Sequence, residues 1–142
     1  MKIITGLLLT FAAAAAISLA QEPAPYRNVG TMSQLMISIL YPTSNAIFYI
    51  DRTPPQNQLD WDQLAASALT LAESANLLML PGRARDNDKW MKDAQLLANA
   101  GAAAYKAAKA KDLPAILALN EELNTACVEC HQDYRPNYHK RK

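Results

Sequence analysis

Both cysteines of the chain and one of its two histidines lie within five residues, CVECH, at positions 127 to 131. On a helix, Cys127, Cys130 and His131 are three and four positions apart, so both thiols and the imidazole project from one face within a single turn. Cys-x-x-Cys-His is the attachment signal for haem c, in which the thiols add across the porphyrin vinyl groups and the histidine reaches the iron. The motif therefore predicts one covalent haem c, attached through Cys127 and Cys130, with His131 as the proximal iron ligand.

Two cysteines at this spacing are compatible with three other interpretations. A thioredoxin-like redox pair requires its thiols at a helix N-terminus, where the helix dipole lowers a thiol pKa, whereas this pair falls at a predicted helix C-terminus. A structural zinc site needs a fourth ligand, for which the sequence offers only His139 or scattered carboxylates. Two inert core cysteines would leave the neighbouring histidine and an export signal unexplained. Haem attachment is the interpretation that accounts for all of these features.

The first twenty residues, MKIITGLLLTFAAAAAISLA, have the composition of a secretory signal peptide. They contain a lysine near the start, an uncharged apolar stretch and a small-x-small ending, Ser18-Leu19-Ala20. A membrane anchor is the alternative, but a bilayer span needs about twenty predominantly apolar residues and here the cleavage pattern follows at once. We expect cleavage after Ala20, a mature chain from Gln21 to Lys142, and a periplasmic location.

The basic and acidic side chains of the predicted mature chain balance. Cleavage would remove Lys2 and leave thirteen of the 14 basic side chains against 13 acidic ones. A neutral chain gives no argument for binding nucleic acid or an anionic membrane. The remaining length, residues 21–142, suits one domain with its own core.

Four segments show helical periodicity, and none shows the sustained alternation that is typical of strands. The predicted helices run from Val29 to Asp51, from Asp60 to a stop at Pro81-Gly82, from Asp86 or Asp88 to Lys111, and from Asp112 through the CVECH motif. Asp60 and Asp112 are predicted N-caps, Pro42 should kink or split the first helix, and Pro114 is tolerated in a first turn. Short connections between these segments favour an all-α fold, an antiparallel up-down four-helix bundle.

In this topology the end of the fourth helix meets the start of the first, the end of the second and the start of the third. The methionines of the mature chain all lie near that end: Met32, Met36, Met79 and Met91. No methionine follows His131, so a methionine ligand to the iron must come from earlier in the chain. The flexible, polarisable methionine side chains are thus predicted to lie at the same end of the bundle as the haem.

Four further residues are of interest in the bundle. Trp90 would pack on the porphyrin or in an ordinary core at the same end. Arg83 and Arg85 lie in the loop there, and would pair with haem propionates or with a partner, or serve ordinary surface roles. Gly101 interrupts the run of alanines on the core face of the third helix, which indicates that another helix approaches closely there.

The chain resembles the class II c-type cytochromes, the cytochrome c-prime family with its low-spin relatives. The resemblance rests on CVECHQDYR at 127–135, which is similar to the family's terminal Cys-x-x-Cys-His-x-x-Tyr-Arg, and on the four-helix pattern of the mature chain. It implies a haem held inside one end of the bundle, His131 as proximal ligand and a distal residue from the first helix. Met36 matches the family's distal position, and Met32 is the alternative.

The resemblance also implies two functions. Low-spin members with a methionine ligand carry electrons, whereas high-spin members leave the iron open and bind nitric oxide or carbon monoxide; many members are homodimers through their first two helices. We expect a periplasmic monohaem carrier of single electrons between redox partner proteins. The alternative is a five-coordinate protein that binds a diatomic gas. An enzyme such as a peroxidase lacks support, because the core stripe of the first helix carries no distal His, Arg or carboxylate.

Overall fold

The structure is a computed structural model that describes residues 26–135 and Asn137. This part of the chain contains helices and no strand. No helix within it combines the length and the apolar character that a bilayer span requires. The predicted signal peptide, its cleavage site after Ala20, and His139 lie outside the described residues.

The described chain forms four helices, two of which are composite. The first consists of α1 (Met32–Leu35), a π-helical segment (Met36–Leu40) and α2 (Tyr41–Phe48), which follow one another without a break. The second is α3 (Gln58–Leu78), and the third is α4 (Lys89–Lys109). The fourth consists of α5 (Leu113–Ala118) and α6 (Asn120–Tyr134), which are separated only by Leu119. These elements confirm the predicted all-α class and are consistent with a helical bundle.

The first helix continues through Pro42 because a π-helical turn precedes it. A proline inside an α-helix lacks the N–H of its turn, and its ring clashes with the carbonyl four residues earlier. A π turn is one of the ways in which a helix absorbs such a disruption. The hydroxyl of Thr43 donates to the carbonyls of Ile39 at 2.6 Å and Leu40 at 3.1 Å, which supports the same turn. The disruption expected at Pro42 therefore takes the form of altered helical geometry and not of two separate helices.

The helix starts differ in part from the sequence predictions. Asp60 was predicted as the N-cap of the second helix, but this is wrong: Asn57 is the cap, and the helix begins at Gln58. The Asn57 side chain accepts from the Asp60 N–H at 3.1 Å, while the Asp60 carboxylate accepts from the Asn57 N–H at 3.3 Å. This reciprocal capping box satisfies two backbone donors and places the N-cap three residues earlier than predicted. Asp112 is confirmed as the cap of α5, since its side chain accepts from the Ala115 N–H at 3.0 Å.

Close packing of α3 against α4 depends on small side chains. Ala94, Ala100, Ala104 and Ala108 of α4 are all buried. A Cβ atom added to Gly101 would lie 2.7 Å from the amide nitrogen of Ala72 and 2.8 Å from its Cα. The prediction that Gly101 marks a close helix approach is therefore confirmed, because only a residue without a side chain fits against this backbone.

Gly101→Ala is expected to lower the free energy of unfolding by about 1–2 kcal/mol. Overpacking a core costs about 1–3 kcal/mol, and the cost should be high in that range because the obstructing atoms are backbone and cannot rotate away. The higher helix propensity of alanine offsets about 1 kcal/mol of that cost. Denaturant unfolding followed by circular dichroism measures the difference.

Ala102→Gly is the matched control, because Ala102 is the next residue of the same helix and is exposed. It should lose about 1 kcal/mol from helix propensity alone. If Gly101→Ala instead stabilised the protein by the amount that Ala102→Gly destabilises it, the close contact with Ala72 would be absent in solution.

Candidate cofactor site

A cavity of about 710 Å³ lies where the end of α3, the start of α4 and the end of α6 meet the first helix. Its volume falls within the range of roughly 300–1,000 Å³ that is usual for small-molecule and cofactor pockets. Much of its lining is aliphatic or aromatic: Leu40, Phe48, Leu71, Leu78, Trp90, Ala94, Leu97 and Ala126. The meeting of these helix ends agrees with the antiparallel arrangement that the sequence predicts.

All five predicted site residues line this one cavity. Cys127, Cys130 and His131 reach it from α6, and Met32 and Met36 reach it from the first helix. The other two methionines do not line it, although they were expected to gather at the same end. Met79 and Met91 instead are partly buried side chains that pack against the core. Within the described chain, Met32 and Met36 are therefore the methionines that line the cavity and remain as candidate ligands.

The two thiols are free and partly buried. Burial raises the pKa of the Cys127 thiol above its ordinary value. Burial, followed by the nearby charge of Asp93, raises the pKa of Cys130 to about 11. A thioredoxin-like pair needs a lowered thiol pKa, so these thiols lack the electrostatic activation of a dithiol redox centre.

The surroundings of His131 favour its neutral form. Burial, followed by the positive charge of Arg135, lowers its pKa and so favours the neutral imidazole that can bind a metal. Within the described part of the chain, no three His, Cys, Asp or Glu side chains form a group that could hold a metal ion. A structural zinc site needs four protein ligands, whereas a haem iron needs only axial ones. The donors of this cavity therefore fit a haem better than a zinc ion.

One wall of the cavity is fixed by a chain of contacts between α4 and α6. The side chain of Trp90 is 3% exposed, and its indole N–H donates to the carbonyl of Leu78 at 2.8 Å. The ring of Tyr134 meets Trp90 edge-on, with ring centres 5.0 Å apart, and its hydroxyl donates to Asp86. The other oxygen of Asp86 accepts from the Trp90 backbone N–H at 3.1 Å. Trp90 thus lies on the core face at the cavity, as predicted, and is held in one orientation.

The arginines of the loop before α4 have different surroundings. Arg85 lines the cavity, as does Arg135 at the end of α6, and both residues are exposed. Arg83 donates to the carbonyl of Gly30 at 3.4 Å and is not part of the cavity lining. Its Nε and Nη1 atoms are buried and have no hydrogen-bond partner among the described residues. Of the two loop arginines predicted near the haem, only Arg85 reaches the cavity.

Sequence reasoning missed Asp93, a buried carboxylate in the cavity lining. Asp93 is 4% exposed, and each of its carboxylate oxygens lies 3.3 Å from the ammonium group of Lys89, one turn earlier on α4. The available signal was its position: Asp93 lies three residues after Trp90 and four before Leu97, on the apolar stripe of α4. A charged residue inside such a stripe indicates a buried polar contact.

Comparisons of the chain with protein-family models, with curated proteins and with solved structures found no match. The resemblance to the class II c-type cytochromes therefore stays a prediction from the terminal motif and the helix pattern. The function proposed below rests on the residues and the geometry of the cavity.

Proposed function

We propose that this protein is a periplasmic monohaem c-type cytochrome that carries single electrons between redox partner proteins. One observation supports the proposal above all: Cys127, Cys130 and His131 line the same apolar cavity as two methionines of the first helix. Two thiols for covalent attachment, one proximal imidazole and one distal thioether are the protein groups that hold the haem in cytochromes c with His and Met ligands. A cavity of about 710 Å³ offers room for a large planar ligand.

Each group of residues has a separate role in this proposal. Cys127 and Cys130 would hold the haem through thioethers, and His131, with its lowered pKa, would be available as a neutral ligand at physiological pH. The bound haem supplies the one-electron chemistry of its iron. The apolar lining excludes water and lowers the local dielectric, which together with the axial ligands adjusts the reduction potential.

For the sixth ligand we propose Met36, with Met32 as the alternative. Both are partly buried and line the cavity. Met36 is the first residue of the π-helical segment, so its side chain leaves the helix where the regular α geometry ends. π turns inside helices often occur at functional sites. This position and the family resemblance together favour Met36.

The purified protein, exported by cells that mature c-type cytochromes, tests the proposal directly. The denatured chain should keep a haem stain, and the native protein should show a low-spin spectrum and cycle reversibly between two states that differ by one electron. The same chain without residues 2–20 is the control and should carry no covalent haem, because it would not reach the compartment where attachment occurs.

Two outcomes would contradict this proposal in different ways. An exported chain without covalent haem would show that the Cys-x-x-Cys-His motif has been misinterpreted. A haem-containing protein that is already high-spin and binds carbon monoxide readily would replace electron transfer by the gas-binding alternative.

A further inference from the structure

Asp93 is the single buried ionisable residue in the part of the chain that the structure describes. It is 4% exposed and forms part of the lining of the cofactor cavity. Aspartate is almost never fully buried without a partner, because removing its charge from water is costly. The partner here is Lys89, whose ammonium group lies 3.3 Å from both carboxylate oxygens.

Lys89 is shared between this buried carboxylate and two exposed ones on α6. Its ammonium group also lies 3.3 Å from a carboxylate oxygen of Glu129 and 3.3 Å from one of Asp133. These residues flank Cys130 and His131 in the sequence. Desolvation of Lys89 opposes its charge, but the hydrogen bonds to Asp93, Asp133 and Glu129 outweigh it and raise the pKa of the ammonium group. The ammonium group of Lys89 therefore forms ion pairs with three carboxylates, and the net charge of these four side chains is negative.

The carboxylate of Asp93 lies at the attachment site. Asp93 lines the same cavity as Cys130 and His131, and its partner Lys89 also contacts Glu129 and Asp133 on α6. An interaction between charges is several times stronger at the low effective dielectric of a partly buried site than in water. The other charged residues of the cavity lining, Arg85 and Arg135, are exposed, so water and salt screen them more.

We propose that Asp93 and Lys89 set the reduction potential of the bound haem in opposite directions. The oxidised iron centre carries one positive charge more than the reduced centre. The buried carboxylate of Asp93 favours the oxidised state and lowers the potential, while the ammonium group of Lys89 opposes that effect. This inference rests on the proposed function, since it requires a haem in this cavity.

Potentiometric titration of the holoprotein, at one fixed pH and ionic strength, tests the inference. Asp93→Asn removes the buried negative charge at nearly constant size, and should raise the midpoint potential. Lys89→Gln removes the compensating positive charge, and should lower it. The opposite signs of these two shifts are the expected result.

Lys92→Gln is the matched control for Lys89→Gln, because it makes the same change of charge on the same helix. The side chain of Lys92 is 75% exposed and pairs with Asp88, whose side chain is 80% exposed. Screening by solvent and salt should keep its effect on the potential well below that of Lys89→Gln.

A purely structural role for the pair predicts a different pattern. If Lys89 only held α4 against α6, both single variants would loosen the same wall and move the potential in the same direction. The double variant Lys89→Gln, Asp93→Asn removes both charges, and its shift should be smaller than that of Asp93→Asn alone. Asp93→Glu keeps the charge and should keep the potential close to the wild-type value. Absorption spectra of all variants check that the axial ligands are unchanged.

The inference would be overturned by an unchanged or lowered potential in Asp93→Asn, or by an unchanged or raised potential in Lys89→Gln. If Asp93→Asn did not accumulate as holoprotein, Lys89→Gln alone would still test the inference. An unchanged or raised midpoint potential in Lys89→Gln contradicts the proposal. A wild-type protein without haem would contradict the proposed function. A haem protein whose potential ignores these charges would contradict only this inference.

Discussion

Replacing Cys127 and Cys130 together with alanine is expected to abolish covalent haem, so the denatured chain loses its haem stain completely. These are the two cysteines of the chain, so no other thiol can form a thioether to a porphyrin vinyl group. Haem staining of a denaturing gel, together with the mass of the denatured chain, measures the effect. Each single alanine variant should retain some haem through its remaining thioether.

Val128→Ala is the control for this experiment, because it shortens a partly buried side chain within the same motif and leaves both thiols in place. Its denatured chain should stain like the wild type. A stain that persisted in the double cysteine variant would mean that the haem is not attached through this motif. Both outcomes are independent of the identity of the distal ligand.

Met36→Ala is expected to convert a low-spin protein into one that binds carbon monoxide. Removing the thioether would open the sixth position of the iron, because alanine offers no ligand atom. The oxidised variant should lose the weak far-red band that arises from methionine bound to iron. The reduced variant should bind carbon monoxide, which absorption spectroscopy detects.

Two further methionine variants make the assignment of this ligand specific. Met32→Ala shortens the other methionine that lines the cavity, and should keep the far-red band. Met79→Ala shortens a partly buried methionine outside the cavity lining, and should have no effect on the iron spectrum. If Met32→Ala lost the band and Met36→Ala kept it, the distal ligand would lie one turn earlier and electron transfer would stand. If the wild type already lacked the band and bound gas, the alternative function would replace it.

The predicted electron transfer and the alternative of gas binding differ at one residue of the cavity. Cys127, Cys130 and His131 would serve both functions in the same way. What separates them is whether a thioether from the first helix reaches the iron. The π-helical segment begins at Met36, so of the two candidates only Met36 lies where the helical geometry departs from a regular α-helix.

The sequence alone determined most of the helical organisation, because its signals are local. Apolar periodicity depends on residues three and four apart, so it identified four helices before any contact between them was known. The cap at Asp112 and the tolerance of Pro114 follow from the chemistry of a single turn. The common face of Cys127, Cys130 and His131 was also predictable, because residues three and four positions apart lie on the same side of a helix. The cap of the second helix was mistaken because Asn57 and Asp60 are both good capping residues, and the capping box uses both of them.

Only the tertiary structure decided which residues face the cavity. The sequence pattern does not distinguish the four methionines near this end of the bundle: Met32, Met36, Met79 and Met91. The rotation of each helix about its axis places only Met32 and Met36 in the cavity lining. The same applies to Asp93, whose burial depends on its position against the cavity and on an ammonium group that also bridges to α6. Such contacts join residues about 40 positions apart, as in the pair of Lys89 and Glu129, so no local pattern contains them. The sequence therefore predicts how a haem would be attached, whereas the packing of the helices determines which methionines and which buried charge line the cavity.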